Sequence, residues 1–194
     1  MWPGTGDGAV SAIHDSTASA QIPDAELMTR FRDHWDEQSF EDLAKRHYIA
    51  ALAVAENRLG DPGLAQDAVQ ETLIRVAKER RRYDVLQPFA PWFYAILRNV
   101  CTDLQRKNSR YRGKLQGLAE RQDEEPSRAP SYCTESVPEA LEALSGADRE
   151  ILLLRLGEGM SFQDIADHLV CNLETAKKRA QRALARLRAK LAEK

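Results

Sequence analysis

The chain has 194 residues, of which 43% are hydrophobic and 30% are charged, with a formal net charge of -2 and a pI near 6.1. This composition is typical of a soluble protein with one larger domain or two small ones. The near-neutral charge excludes a protein that coats nucleic acid indiscriminately, so any DNA binding must come from local basic patches. No apolar run approaches the roughly 20 residues that span a bilayer, and the N-terminus lacks the order of a signal peptide, so we expect a cytoplasmic protein.

The cysteines do not indicate a disulfide framework, because Cys101, Cys133 and Cys171 are odd in number and far apart. His168 and Cys171 could supply half of a metal site, but no second pair stands near them at zinc spacing. We interpret Cys171 as a small apolar residue in a turn, and we expect no metal, no cofactor and no enzymatic activity.

Helices are predicted from the start of the ordered chain. Residues 1–23 are rich in Gly, Ser, Thr and Ala without lasting periodicity, which predicts a mobile tail. A first helix begins at Asp24 and buries Leu27, Phe31 and Trp35. A second begins after Ser39, ends at Gly60 and has a buried stripe of Phe40, Leu43, Tyr48, Leu52, Ala55 and Leu59.

The third predicted helix, from about Pro62 to Arg81, has two contrasting faces. Its buried face is formed by Ala65, Ala68, Val69, Leu73 and Val76. The opposite face carries Asp67, Gln70, Glu71, Ile74 and Lys78. This pattern fits equally a solvated face with one stray apolar residue and a docking surface with Ile74 as its apolar anchor.

A fourth helix is predicted after a loop at residues 83–88, with Pro91 near its first turn. Its buried stripe is Phe93, Ile96, Leu97, Val100 and Leu104, and its exposed positions are Trp92, Arg98, Asn99, Asp103, Arg106 and Lys107. Aromatic rings interleaved with Arg and Asn suit unpaired bases, which offer faces for stacking and edges for hydrogen bonds. For either ring alone, the pattern favours the simpler alternative that Trp92 and Tyr94 fill the core.

Residues 113–137 combine acidic residues with Pro126 and Pro130, which predicts an extended, flexible linker. It divides the chain into a helical domain at 24–112 and a second one at 138–194. In the latter, Ser145 precedes Asp148 by three residues, as in a capping box. No segment has strand periodicity, so the predicted fold class is all-α.

The stretch from Ser161 to Leu191 has helix-turn-helix spacing: a helix over residues 162–169, a turn at 170–172, and a long basic helix from Leu173. Ser161 and Asn172 are suited to cap the two helices. The packed face of the long helix would be Ala176, Ala180, Ala183, Leu184, Leu187 and Leu191.

The other face of the long helix is basic, through Lys177, Lys178, Arg182 and Arg186. In a major groove, the residues nearest the bases would be Asn172, Glu174, Thr175, Lys178 and Arg179. A basic amphipathic helix can also be a solvated face or a membrane-surface element. The agreement of caps, turn length and apolar spacing favours DNA binding.

Four stretches, in this order, make the chain similar to a known family: DPGLAQDAVQETLIRVAKE, FAPWFYAILRNVCTDLQRK, LSGADREILLLRLGEGMSFQDIADHL and NLETAKKRAQRALARLR. They resemble the extracytoplasmic-function (ECF) sigma factors, the smallest members of the bacterial sigma-70 superfamily. The resemblance implies two helical domains, corresponding to sigma regions 2 and 4, joined by a flexible linker. It also implies partnership with core RNA polymerase, promoter DNA and an anti-sigma factor.

The resemblance implies roles for three sets of residues. The set that binds the clamp of the polymerase largest subunit would be Asp67, Gln70, Glu71 and Ile74. The set that opens and holds the promoter -10 element would be Trp92, Arg98, Asn99, Asp103, Arg106 and Lys107. The set that reads the -35 element in duplex DNA would be Asn172, Glu174, Thr175, Lys177, Lys178, Arg179 and Arg182.

One residue departs from the family pattern, which usually has Gly where Val170 stands. A β-branched residue there must either avoid positive φ or bear strain. Two other classes of protein remain as alternatives: an ordinary helix-turn-helix regulator that binds a palindrome, and an enzyme or redox sensor that uses the three cysteines and His168.

Overall fold

The computed structural model describes residues 22–116, 141 and 144–192. Within these ranges the chain is helical and contains no strand, which confirms the all-α prediction. The α-helices are α1 (Asp24–His34), α2 (Glu37–Leu59), α3 (Pro62–Glu79), α4 (Phe89–Gln116), α5 (Gly146–Leu152), α6 (Phe162–Leu169) and α7 (Leu173–Ala192). A 3-10 turn (Arg80–Arg82) follows α3, and a π-helical segment (Leu153–Gly157) follows α5.

Helices α1 to α4 form an N-terminal unit around aromatic and aliphatic side chains, including Phe31, Leu43, Val69, Phe93 and Leu97. The helix starts and stops are set by local chemistry. Asp61 accepts a 2.8 Å hydrogen bond from the Leu64 amide at the start of α3, where Pro62 occupies the first turn. Gly60 takes a left-handed conformation (φ 67°) and ends α2.

Three sequence predictions in the N-terminal unit are wrong in detail. Helix α2 begins at Glu37 rather than after Ser39, because Asp36 holds the extended N-cap conformation and accepts a 2.6 Å hydrogen bond from the Ser39 hydroxyl. Trp35 is 50% exposed, because it leaves the helical path at φ 55°. Tyr48 is exposed, since the buried face of α2 runs through the neighbouring His47.

The ends of α3 and α4 also differ from expectation. Helix α3 stops at Glu79, and a 3-10 turn replaces its predicted last two residues. Helix α4 continues to Gln116, so the first four residues of the predicted linker are helical. The sequence there has no proline to break the helix before Pro126. The predicted tail up to residue 21 and linker residues 117–137 lie outside the described residues.

Helices α5 to α7 form a C-terminal unit whose caps are as predicted. Ser145 accepts a hydrogen bond from the Asp148 amide at 3.3 Å, and Ser161 forms a reciprocal capping box with Asp164. Asn172 accepts one from the Thr175 amide at 2.7 Å. The predicted core position Leu191 is wrong: it is 56% exposed, in a last turn whose residues are all exposed.

The bend between α6 and α7 contains the residue that departs from the family pattern. Val170 has φ 52° and ψ 50°, so it adopts the left-handed conformation and does not avoid positive φ. Its side chain is 81% exposed and gains little packing in return. The turn is closed by the Cys171 amide, which donates to the Ala166 carbonyl at 2.9 Å. Val170, a β-branched residue, therefore has a strained left-handed backbone conformation.

We expect Val170→Gly to raise the free energy of unfolding by about 1 kcal/mol, because glycine removes the left-handed penalty at the cost of some unfolded-state entropy. Urea denaturation of the full chain measures this change. Val170→Ala is the control: it keeps a Cβ, so its gain should be smaller. A glycine variant no more stable than the alanine variant would contradict the interpretation.

Candidate nucleic-acid and polymerase interfaces

Helix α7 presents a cationic face away from the C-terminal core. Ala176, Ala180 and Ala183 are buried against α5 and α6, and their small side chains let the helices approach closely. The opposite face carries the exposed side chains of Glu174, Lys178, Arg179 and Arg182. Thr175 and Lys177 are half-buried, and Lys177 donates to Glu174 at 3.0 Å. The structure thus places the predicted -35 set, with the cap Asn172, around the first three turns of one helix.

Helix α4 brings together five of the six residues of the predicted -10 set. With about 100° between successive residues, Trp92, Asn99, Asp103, Arg106 and Lys107 fall within an arc of about 100°. Asn99, Arg106 and Lys107 are exposed, and Trp92 is half-buried against Tyr83, with ring centroids 5.2 Å apart. The neighbouring Tyr94 is buried, as the core interpretation of that ring predicts.

Arg98 does not lie with the other five. It is on the face of α4 that also carries Tyr94, Cys101 and Gln105, and this face contacts other helices. Its guanidinium donates a 2.7 Å hydrogen bond to the carbonyl of Asp167 near the C-terminus of α6. A cation at that position is favourable, because helix C-termini carry partial negative charge.

The acidic face of α3 is accessible and carries an apolar side chain. Asp67 and Gln70 are exposed, Ile74 is 47% exposed, and Glu71 is half-buried. All four line an open groove between α3 and α4, together with Asp103 and Lys107. Arg75 crosses the groove: it donates to Glu71 at 2.9 Å and approaches Asp103 at 3.4 Å. The predicted polymerase set is therefore one continuous surface, and two predicted -10 residues border it.

A buried polar network joins the N-terminal and C-terminal units. Its centre is the Glu150 carboxylate on α5, which is 4% exposed. Arg58 donates to it twice, at 3.1 and 3.2 Å, and Asn57 donates at 2.6 Å, both from the end of α2. Burial alone would raise the pKa of Glu150, but hydrogen bonding with His168 and the charge of Arg58 outweigh it, so its pKa is lowered.

His168 on α6 completes this network from the C-terminal unit. Burial and the nearby charges of Arg58 and Arg98 lower its pKa despite the Glu150 carboxylate, so the ring is neutral. Nε2 lies 3.0 Å from both the Glu150 carboxylate and the Arg58 guanidinium, while Nδ1 is buried without a partner. Because an ionised carboxylate can only accept, we place the single proton on Nε2. Nε2 then donates to Glu150 at 3.0 Å. The Tyr94 ring packs edge-on against the imidazole, with centroids 5.9 Å apart.

A second buried histidine, His47 on α2, lies between two carboxylates. One ring nitrogen is 3.0 Å from Asp24 of α1, and the other hydrogen-bonds Glu158, which follows the π-helical segment of the C-terminal unit. Burial alone would lower the pKa of His47, but Asp24 and Glu158 outweigh it and raise the pKa to about 9. The imidazolium therefore bridges the two units at neutral pH.

Sequence reasoning missed both networks between the units. His47 stands four residues from Leu43 and from Ala51, which places it on the buried stripe of α2. Glu150 directly precedes the apolar run Ile151–Leu154. A charged or titratable residue in a buried register signals that a partner exists elsewhere, although it does not identify that partner.

Cys101, Cys171 and His168 do not gather into a metal centre: in the part of the chain that the structure describes, no group of three or more His, Cys, Asp or Glu side chains could hold an ion. Cys133 lies outside the described residues. Burial raises the pKa of the Cys101 thiol to about 11, so it remains protonated at neutral pH. Cys171 is half-buried in the turn between α6 and α7, in agreement with its interpretation as a turn residue. None of the described helices combines the length and apolarity that crossing a membrane requires.

Comparison with protein families gives two matches, in the order expected for the two units. The sigma-70 region 2 model matches residues 43–111, and the sigma-70 region 4 model matches residues 134–187. The RNA polymerase sigma factor CarQ of Myxococcus xanthus is 31% identical over 172 residues, which span 86% of this chain and 96% of CarQ. The ECF sigma factor EcfG of Rhodopseudomonas palustris is 31% identical over 150 residues, which span 77% of this chain and 82% of EcfG.

Two solved structures are similar in fold. CnrH in complex with the cytosolic domain of CnrY has a TM-score of 0.52 at 24% identity, over 88% of this chain and 97% of that one. The sigma factor RpoE in complex with the anti-sigma factor NepR, from Bartonella quintana, has a TM-score of 0.51 at 26% identity, over 78% of this chain and 98% of that one.

The fold and its surfaces define a helical protein of two units, with a helix-turn-helix in the second unit and an exposed acidic face on α3. The sequence and family matches identify the family: the chain belongs to the ECF group of the sigma-70 family of RNA polymerase sigma factors. It is a factor that initiates transcription with RNA polymerase at promoters. The predicted family is confirmed, and a free-standing helix-turn-helix regulator is the wrong class.

The raised pKa of His47 predicts a pH-dependent stability. A rise from 6.5 to about 9 corresponds to about 3 kcal/mol of stabilisation by the protonated ring. This contribution is complete below pH 6.5 and is lost as the pH rises through 9, while the lowered pKa of Asp24 keeps that partner ionised. We therefore expect the unfolding free energy of the full chain to fall between pH 6.5 and pH 9.5 in denaturant titrations.

His47→Gln should be less stable at pH 6.5 and should lose most of this decline. His34→Gln, at an exposed position at the end of α1, is the matched control and should retain the wild-type decline. If the His47 variant declined as steeply as the wild type, another group would be responsible.

Proposed function

We propose that this sigma factor acts in the cytoplasm, without covalent chemistry of its own, through surfaces on three helices that hold polymerase, the -10 element and the -35 element. The first two of these surfaces adjoin at the groove between α3 and α4. The observation that carries the proposal is the position of these surfaces on three rigid helices, α3, α4 and α7, in a chain of this family. Each surface has the chemistry that its partner requires.

The α3 surface is proposed to dock on the coiled-coil clamp of the largest polymerase subunit. Asp67, Gln70 and Glu71 provide carboxylate and amide groups for basic and polar residues of the clamp, and Ile74 provides an apolar centre. Apolar side chains surrounded by polar ones are typical of the anchor positions of protein interfaces. We therefore propose docking, rather than a solvated face with one stray apolar residue, as the role of this surface.

The α4 surface is proposed to open the -10 element and hold its unpaired bases. Asn99 can hydrogen-bond base edges, Arg106 and Lys107 can contact the backbone, and Trp92 offers the edge of a packed ring. Capturing a base that has left the stack offsets an unstacking cost of a few kcal/mol. Asp103 and Arg98 are retained in the proposed set, although each has a partner within the chain.

The α7 surface is proposed to read the -35 element in duplex DNA. Residues at the start of a recognition helix reach base edges, while cations further along contact phosphates and fix the register. Because the net charge of the chain is -2, free sigma should bind DNA weakly. Polymerase increases the affinity by holding both readers at the separation of the two promoter elements.

We also propose that an anti-sigma factor regulates this chain. The support is that a structure similar in fold holds its sigma factor in complex with the anti-sigma factor NepR.

The test of function is reconstitution: the purified chain is added to sigma-free bacterial core polymerase, and promoter-specific transcripts are sought from genomic DNA. We expect defined transcript starts that depend on the chain. Tight binding of a palindromic site by the chain alone, without transcripts, would contradict the proposal.

In the same assay, the Lys178→Ala/Arg179→Ala variant should lose transcription from promoters that have a -35 element. Arg188→Ala, from the exposed end of α7, is the control.

The docking surface has its own prediction. Ile74→Ala should weaken binding to core polymerase by roughly tenfold, because about 1.4 kcal/mol of apolar burial in the interface is lost. Ile49→Ala is a matched control, since Ile49 is 43% exposed on α2 and Ile74 is 47% exposed on α3. Fluorescence titration of labelled chain with core polymerase measures both, and equal affinities would remove Ile74 from the interface.

A further inference from the structure

We propose that Asp103 of α4, paired with Arg75 of α3, selects cytosine or adenine at one position of the unpaired -10 strand. This selection rests on the proposed function of α4 and specifies the bases that the surface takes. A carboxylate is unexpected on a surface that holds nucleic acid, because the phosphates around it are also negative. Such a residue needs a compensating charge and a chemical use.

Arg75 provides the compensating charge. Both terminal nitrogens of its guanidinium lie 3.4 Å from the same carboxylate oxygen of Asp103, Oδ2. Among the described residues, this is the ion pair that Asp103 forms. Arg106 and Lys107, about one turn further along α4, are exposed and pair with no described carboxylate. These two cations therefore remain available to the phosphates.

The pair of Arg75 and Asp103 is not explained by its contribution to folding. The two side chains are 31% and 47% exposed, and 3.4 Å is long for a hydrogen bond. An exposed ion pair of this kind adds little to the free energy of unfolding. Helices α3 and α4 pack instead through buried apolar side chains. The place of the pair, in a groove that borders the proposed DNA surface, indicates a role in binding.

The second oxygen of the Asp103 carboxylate, Oδ1, is available to a ligand. It has no partner within the part of the chain that the structure describes, since both bonds from Arg75 go to Oδ2. A carboxylate paired with arginine accepts hydrogen bonds and cannot donate them. Oδ1 therefore favours a ligand group with an N–H donor and disfavours a second acceptor.

Asn99 lies next to this acceptor on α4. It precedes Asp103 by one helical turn, so the Cβ atoms of the two residues are about 5–6 Å apart. Asn99 is exposed, and its amide has no hydrogen-bond partner among the described side chains. Because an amide group can donate, the two residues together present an acceptor beside a donor.

This arrangement matches the Watson–Crick edges of cytosine and adenine. Each of these bases has an amino group, which donates, beside a ring nitrogen, which accepts. Thymine and guanine have a keto oxygen in place of that amino group, so the carboxylate would meet another acceptor. The edge is accessible once the base has left the duplex, as proposed for α4. Asp103 thus adds sequence selection to a surface whose stacking and phosphate contacts accept any base.

The test uses the full chain assembled with core polymerase and requires no known promoter. A pool of single-stranded DNA with a short random segment is bound to the complex, recovered and sequenced. We expect one position to be enriched in cytosine or adenine. An oligonucleotide with cytosine at that position is then compared with one that has uracil, in which a keto oxygen replaces the amino group. Cytosine should be bound roughly tenfold more tightly.

Asp103→Asn is the main variant, because it keeps the shape of the side chain and offers an N–H donor as well as an acceptor. It should bind the cytosine and uracil oligonucleotides within about twofold of each other. Arg30→Ala is the matched control, since Arg30 pairs with Glu26 across one turn of α1 as Arg75 pairs with Glu71 across one turn of α3. This control should keep the full preference. An unchanged preference in Asp103→Asn would overturn the selection by Asp103.

Arg75→Ala tests the positioning role of Arg75. Without the guanidinium the Asp103 charge is uncompensated, so both oligonucleotides should bind more weakly, and by a larger factor at low salt. The double variant Arg75→Ala/Asp103→Asn should regain affinity without regaining the preference for cytosine. Core polymerase is kept saturating, and its affinity is measured separately, because Arg75 also contacts Glu71. Wild-type affinity in Arg75→Ala, or no recovery in the double variant, would overturn the role of Arg75.

The outcomes separate this selection from the function on which it rests. A complex that forms but binds no single-stranded DNA would refute the proposed role of α4. A complex that binds single strands and transcribes, with a base preference independent of Asp103, would keep that role and overturn only the selection by Asp103.

Discussion

The structure depends on one buried charge, the carboxylate of Glu150. A carboxylate that is withdrawn from water must receive hydrogen bonds on both oxygens, or the fold loses several kcal/mol. Within the C-terminal unit, only His168 donates to it in the described residues. The other donors are Asn57 and Arg58, at the end of α2 in the N-terminal unit. The need to satisfy one side chain therefore fixes three helices from two units relative to one another.

The remaining contacts between the units follow the same chemistry. His47 carries a proton between Asp24 and Glu158, and Arg98 neutralises the C-terminal end of α6. Interfaces with this many polar groups resemble transient rather than obligate contacts, since each group can be solvated again on separation.

The sequence was sufficient for features that depend on local chemistry. Ser161, Asn172 and Ser145 cap helices as predicted, because a cap is decided within three residues. The helical periods placed most buried positions of α3 and α4 correctly for the same reason. The all-α class followed from these elements. The family resemblance then provided roles that periodicity alone left open, as for the acidic face around Ile74.

The sequence was insufficient where a residue's environment comes from a distant segment. Arg98 has the helical position and chemistry of a solvent-facing cation, but its partner is 69 residues away. The sequence predicts Tyr48 rather than His47 on the buried stripe of α2, because an aromatic ring is more apolar than an imidazole. In the structure His47 is the buried residue, since two carboxylates, Asp24 and Glu158, lie beside its ring. The predictions that Trp35 and Leu191 are buried are wrong for a different reason. Each residue lies at a helix end, where the apolar stripe extends beyond the neighbours that would cover it.

Val170 connects these two levels, because its strained conformation is held by one local contact and one distant contact. A valine at φ 52° would be expected to relax the turn, but the flanking backbone is fixed on both sides. The Cys171 amide is bonded to the Ala166 carbonyl, and the preceding Asp167 carbonyl is held by Arg98 of α4. The bend that orients α7 is thus held by one contact within its own unit and by a second contact from α4 of the other unit.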